Sequence, residues 1–183
     1  MTLKAFKFRL VPNKQQQILL TKNLGCCRFL YNQMLNERQE KHKNSDISNT
    51  KTEKQYKEEF KFLREVESSS LQQTRIDLTQ AYKNFFRKIK QKQKVSLKFK
   101  SRRNPKQSIR IVNNNSNIRV ENNYIKLPKI RFIKFKKSRE ITGKIKSVTI
   151  TKNILNRYYI SVLCETEIEK LPELDTKIGI NLG

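Results

Sequence analysis

Leu3-Lys4-Ala5-Phe6-Lys7-Phe8-Arg9-Leu10-Val11-Pro12-Asn13 is the stretch that decides how this chain folds. Phe6, Phe8 and Leu10 fall on one side of a two-residue period, with Lys7 and Arg9 on the other. That pattern predicts a strand with one buried face. Pro12 has no amide to donate and Asn13 is a good helix N-cap, so the strand ends there and a helix follows. The helix is predicted to run to about residue 38, because Leu20, Leu24, Cys27, Tyr31, Met34 and Leu35 recur at three- and four-residue spacing. Gly25 sits inside it at a cost of about 1 kcal/mol relative to Ala, which close packing against another backbone would explain. Cys26 and Cys27 are then helical and buried.

Downstream, the polar stretch 42–52 reads as a loop. A second helix is expected over 52–65, with Tyr56, Phe60 and Leu63 on one side. Ser68-Ser69-Ser70 caps a third, whose apolar stripe of Leu71, Leu78, Tyr82, Phe85 and Ile89 is interrupted by Arg75. Its polar face carries Gln72, Gln73, Asp77, Thr79 and Lys83, and Gln and Arg are side chains able to read base edges in a groove. The second half changes period. Residues 108–112, 117–120, 124–127, 130–135, 144–151 and 157–164 read as short strands, with Glu121-Asn122-Asn123 as a hairpin turn. Strands so closely spaced suggest a small barrel or a curled sheet. The opening strand stands alone in a helical half, so it is expected to join that sheet. The fold class is therefore α+β, with the helices inserted after the first strand.

Charge narrows the function. The chain of 183 residues has 41 Lys+Arg against 16 Asp+Glu, a net charge of +25. Residues 37–67 are balanced at eight bases and eight acids, whereas 83–110 hold twelve bases and no acid. A second basic block, 126–146, has nine bases and one acid, and the sign reverses over 165–175. Phe85, Phe86, Ile89, Val95, Leu97, Phe99 and Ile109 punctuate the first block, so it is structured rather than a solvated run. Such a density of positive charge repels itself unless an anion neutralises it. A nucleic acid, whose condensed counterions are released on binding, is the expected partner.

Other classes fall away. Three Cys (Cys26, Cys27, Cys164) and one His (His42) do not make a four-ligand zinc site or a disulfide framework. Reduced thiols fit a cytoplasmic chain. No apolar run approaches ~18 residues, and Met1-Thr2-Leu3-Lys4 opens no signal peptide, so neither a membrane span nor secretion is expected.

Four segments resemble the TnpB family, the OrfB-type proteins of bacterial insertion sequences and kin of the type V CRISPR effectors. The opening residues 4–13 are followed by Gly25-Cys26-Cys27-Arg28-Phe29-Leu30-Tyr31-Asn32 in the family's order. Ala81-Tyr82-Lys83-Asn84-Phe85-Phe86 resembles its Ala-Tyr/Phe-x-x-Phe-Phe motif. Leu97-Lys98-Phe99-Lys100-Ser101-Arg102-Arg103, with Gln107-Ser108-Ile109-Arg110, resembles its basic segment, with Ser96-Leu97 where Pro is usual. Lys177-Ile178-Gly179-Ile180-Asn181-Leu182-Gly183 resembles the first strand of its RuvC-like, RNase H-fold nuclease domain.

The resemblance implies an RNA-guided DNA endonuclease scaffold. Residues 1–12 would be the first strand of a wedge-like β-barrel domain, 13–92 an inserted helical recognition domain, 93–170 the rest of the barrel, and 171–183 the start of the nuclease domain. A guide RNA would lie along Lys98, Lys100, Arg102, Arg103, Lys106 and Arg110. Double-stranded target DNA would be inspected by the α-helical face of Gln72, Gln73, Arg75, Thr79 and Lys83. The family's nuclease holds two divalent metals, Mg²⁺ for example, on three carboxylates. Asn181 stands where its first Asp is usual, and a neutral amide is a poor ligand for such an ion. The later acidic motifs and the family's zinc-binding cysteines do not occur before Gly183. As written the chain is expected to bind RNA and DNA without cutting, with no catalytic residue and no cofactor of its own. The alternatives are the front of a longer active nuclease, a nuclease-dead guided repressor, and an unrelated basic RNA-binding protein.

Overall fold

The computed structural model describes residues 1–46 and 48–167. The expected nuclease strand and Asn181 lie outside those residues. The chain runs β1 (Thr2–Val11), α1 (Lys14–Lys43), α2 (Glu53–Glu59), a 3₁₀ turn (Lys61–Glu65) and α3 (Ser68–Lys90). Six strands follow: β2 (Lys106–Val112), β3 (Arg119–Glu121), β4 (Tyr124–Leu127), β5 (Arg131–Lys136), β6 (Lys144–Asn153) and β7 (Tyr158–Thr166).

All seven strands form one antiparallel sheet in the order β2-β6-β7-β1-β5-β4-β3. β1 therefore does join the distant strands, between β7 and β5. Register explains why the alternation in sequence survives. Ile109 faces Ile150, Ile150 faces Ile160, and Ile160 faces Phe8. A parallel row joins Ile111, Val148, Val162 and Phe6. All eight side chains are buried, each worth about 1.5–3 kcal/mol over exposure. A slip of one residue would turn a whole row to water.

The sheet is curled but open, a half-barrel rather than a closed one. β2 and β3 are its edges, and β3 has only three residues with which to pair. A helix takes the place of a closing strand. α3 packs on β2, and the Val112 amide donates to Ser69 Oγ at 3.3 Å. The edge is thereby covered, as an exposed ladder must be.

Asn13 caps α1 as expected, accepting from the Gln16 amide while the Gln16 side chain accepts from the Asn13 amide. The helix continues past residue 38 to Lys43. Its last turn, Lys41-His42-Lys43, suits the negative end of the helix dipole, so the loop begins only at Asn44. The second helix breaks at Phe60. Phe60 and Phe62 both pack edge-on against Phe29, at 4.9 and 5.1 Å between centroids. Side chains two apart cannot share a face of one α-helix, and a 3₁₀ turn solves that conflict. Ser68 to Ser70 lie in the first turn of α3 rather than before it. Glu67 is the cap, accepting from the Ser69 amide. Buried Asn23 holds this start against α1 by accepting from the Glu67 amide and the Ser70 hydroxyl.

Close packing does not explain Gly25. A Cβ there would meet only the tip of Arg28, at 3.9 Å. The glycine that needs to be one is Gly143, at φ +88°, where a Cβ would fall 2.3 Å from the Glu165 carbonyl oxygen. All three cysteines are buried and unpaired, and burial raises the pKa of each thiol. Among the described residues no helix is long and apolar enough to cross a membrane.

Candidate nucleic-acid interface

The basic run divides into distinct places. After α3 the chain leaves regular structure over 93–105, yet it is pinned. Asn32, on α1, accepts from the Lys100 amide at 2.7 Å and donates to the Lys100 carbonyl at 3.0 Å. A side-chain amide thus supplies the pair of bonds a neighbouring strand would give. Gln107 donates to the Arg102 carbonyl and accepts from Arg28, at 2.8 and 3.3 Å. The Ser101 hydroxyl accepts from the Arg103 amide.

Two adjoining hollows result, sharing Leu24, Arg28, Asn104 and Gln107. The smaller, of about 120 Å³, is bounded by α1, α3 and β2. Lys100, Lys106, Arg110 and Arg28 line it, opposed by the single acid Asp77. Lys106 and Arg110 are exposed alternate residues of β2, whose Ile109 and Ile111 turn to the core. The larger hollow, of about 480 Å³, has Arg28, Arg102, Arg103 and Lys152 and no acid.

Five of the six residues expected along the RNA therefore converge. Lys98 does not. It stands in a separate hollow with Lys88, Lys94 and Phe85. Lys100 converges but is turned inward. Its Nζ lies 4.1 Å from the Tyr31 ring centroid, and burial pushes its pKa below the usual lysine value, partly opposed by Asp77 and Cys27. An amine in that position holds the segment to α1 by a cation–π contact and has little left for a phosphate. Arg28 and Lys152 complete the surface and were not singled out from sequence. Arg28 lay within the quoted 25–32 motif, but only its bond to Gln107, 79 residues away, sets it in the hollow.

The face of α3 expected to meet DNA is split. Gln73 turns into the smaller hollow beside Asp77 and Thr74. Gln72 and Lys83 stand exposed on the outer face. Arg75 is committed to Glu53, with Nε 2.9 Å from the carboxylate. The Thr79 hydroxyl donates to the Arg75 carbonyl at 3.1 Å. The balanced stretch 37–67 has similarly engaged its acids within the protein, in Lys22–Glu65, Lys51–Glu59 and Lys41–Glu37 pairs. Among the described residues Arg28, Arg102, Arg103, Lys106, Arg110 and Lys152, which line the hollows, take part in none of the ion pairs. Among the described residues no three His, Cys, Asp or Glu side chains stand together as a metal site.

Fold and hollows define an α+β protein in which two of the inserted helices, α1 and α3, and one edge of a half-barrel frame a cationic concavity. Residues 1–46 match the helix-turn-helix domain family of OrfB proteins of the IS605 type. In this chain those residues form a strand and one long helix rather than two helices about a turn. The chain is 32% identical to the Escherichia coli (strain K12) protein InsQ, assigned as an RNA-guided DNA endonuclease, over 91% of its own length and 41% of InsQ. It is 28% identical to a Streptomyces pristinaespiralis protein of the same assignment, over 98% of its length and 46% of that protein. Along nearly its whole length the chain is thus similar to OrfB-type, or TnpB, proteins, and it spans less than half the length of these curated relatives.

Proposed function

We propose that residues 1–167 form the amino-terminal grip of a TnpB-type RNA-guided protein, which holds guide RNA and double-stranded target DNA and does not itself cut. The observation that carries this reading is the convergence of Arg28, Arg102, Arg103, Lys106 and Arg110 on adjoining hollows with one acid between them. Guide RNA occupies that concavity through its phosphates, contacts that position without specifying sequence. Target DNA lies on the outer face of α3 against Gln72 and Lys83, where Gln72 is free to reach a base edge. Both relatives are assigned as RNA-guided DNA endonucleases, which favours these two ligands. The described residues offer no carboxylate cluster for a divalent ion, and no step of the grip needs one.

The test is RNA affinity as a function of salt. Five phosphate contacts at ~−0.9 each give a slope of log K against log salt near about −4.5 on a duplex. A slope shallower than about −2 would sink the reading. Arg102→Glu with Arg103→Glu should weaken RNA binding at least tenfold, while Lys83→Glu should act on DNA instead. The relatives' greater length favours a second reading, in which the same grip serves a longer chain that cuts. Sequencing the gene beyond codon 183, and assaying the product for Mg²⁺-dependent cleavage with Asn181 and with Asp at that position, separates the two.

A further inference from the structure

The Ala81–Phe86 motif is not used by the grip, yet it builds a second concavity. Where the C-terminal ends of α1 and α3 meet the segment after α3, a groove of about 560 Å³ opens. Tyr82, Phe85, Phe86, Val95 and Leu97 form its floor, and Arg38, His42 and Lys43 lie on its rim; no acid lines the groove, and the exposed Glu40 carboxylate beside it lies 3.2 Å from the Lys43 ammonium. Its size is that of a small-ligand site rather than of a packing defect.

The three rings are set against one another. Phe85 meets Phe86 edge-on at 5.3 Å, and Tyr82 lies 6.2 Å from Phe86. The Arg38 guanidinium sits 5.0 Å from the Tyr82 centroid, so that ring already has its cation. Phe86 remains 56% exposed, with a face turned to solvent among positive charges. An aromatic platform beside a cationic rim is the arrangement that holds an unpaired nucleotide, base on ring and phosphate on cation. A folded RNA offers such bases in its loops, whereas a DNA duplex keeps its bases stacked and paired. A protein segment would have to be acidic to suit this rim.

We propose that this groove is a base pocket, in which one unpaired base of a bound RNA stacks on Phe86 while its phosphate is held by Arg38 and Lys43. The inference rests on the nucleic-acid reading above and goes beyond it by adding a site outside the cationic hollows, specific for single strands.

A short single-stranded RNA with one 2-aminopurine is the probe, with a duplex of the same sequence and the equivalent single-stranded DNA as comparators. Binding of the wild-type chain should change the 2-aminopurine fluorescence. Phe86→Ala should abolish that change and weaken single-strand RNA binding about tenfold, by the value of one base–aromatic stack, with duplex binding unaltered. Phe86→Tyr should restore both. Since Phe86 is more than half exposed, a circular-dichroism melt should show both variants folded. Equal affinities of wild type and Phe86→Ala for the single strand would overturn the pocket and leave the grip intact. Equal losses on single strand and duplex would also overturn it, as would restoration by no aromatic substitution. A Phe86-dependent signal as strong with single-stranded DNA would overturn the assignment to RNA. An acidic peptide that displaces no RNA yet is lost in Phe86→Ala would make the groove a protein-docking site and overturn the proposal. Failure of the wild type to bind any of the three nucleic acids would instead overturn the grip itself.

Discussion

Residues 6–10 and residues 95–100 carry the same alternation, Phe-Lys-Phe-Arg-Leu in one and Val-Ser-Leu-Lys-Phe-Lys in the other. Only the first is a strand. β1 lies between two partners, paired with β7 along most of its length and with β5 at its end. Segment 95–100 has no ladder. Its backbone is met by one asparagine amide, Phe99 is half exposed, and the partly buried residue at its end is a lysine. Alternation specifies two faces, but a strand also needs neighbours for its amides and carbonyls. Where neighbours are missing, the chain stays irregular and is held in place by side chains, Asn32 on its backbone and Tyr31 against its last lysine.

The largest expected effect breaks the first member of this pair and spares the second. Phe8→Ala should cost about 3–5 kcal/mol in urea unfolding, because a buried ring is replaced by a cavity between Ile160 and Phe135. Phe99→Ala should change stability by less than about 0.5 kcal/mol. Similar losses at the two positions would mean that 95–100 is packed as tightly as β1.

Next in size is Gly143→Ala, at about 2–3 kcal/mol. The added methyl meets the Glu165 backbone and the positive φ disfavours any side chain. Thermal unfolding checks it, and a loss under about 1 kcal/mol would show that this end of the β6–β7 pair gives way without cost.

Asn32→Ala follows, acting on the irregular segment alone. Losing both bonds to Lys100 should loosen 93–105 by about 1–3 kcal/mol. Limited proteolysis should then cut within that segment several-fold faster, RNA affinity should fall, and the melting of the sheet should barely move. Unchanged proteolysis would mean that the Lys100–Tyr31 contact suffices.

How much was legible follows from the range of each interaction. Strands with one buried face could be read in sequence, down to the side chains of the Phe6 and Phe8 rows, because the period-two signal is local. The open edge could not, since it depends on Ser69 reaching Val112, nor could the break at Phe60, which answers to Phe29. In the site, the cations were visible as a run. Their grouping was not, because Arg28 comes from α1, Lys152 from β6, and Tyr31 removes Lys100 from the free set. Arg75 looked available until Glu53, 22 residues earlier, is placed beside it.

The smallest expected effect is of opposite sign. Gly25 lies inside a 30-residue helix, with helix on both sides, and a Cβ there would make only an ordinary contact with the tip of Arg28. Nothing within the described protein requires glycine, so Gly25→Ala should stabilise the free chain by about 1 kcal/mol, read as a rise in melting temperature. The same substitution measured against RNA carries the argument further. Gly25 is one turn from Arg28, which lines both cationic hollows, and glycine allows the backbone of a ligand to approach a helix closely. If the Ala variant melts higher but binds RNA several-fold more weakly, the glycine is kept for a phosphate–sugar backbone lying across α1, and the grip extends from the irregular segment onto the helix. If it melts higher and binds equally well, RNA passes over 95–110 alone, and the division between a rigid scaffold and an irregular, cationic binding segment is as sharp as the two alternating stretches suggest.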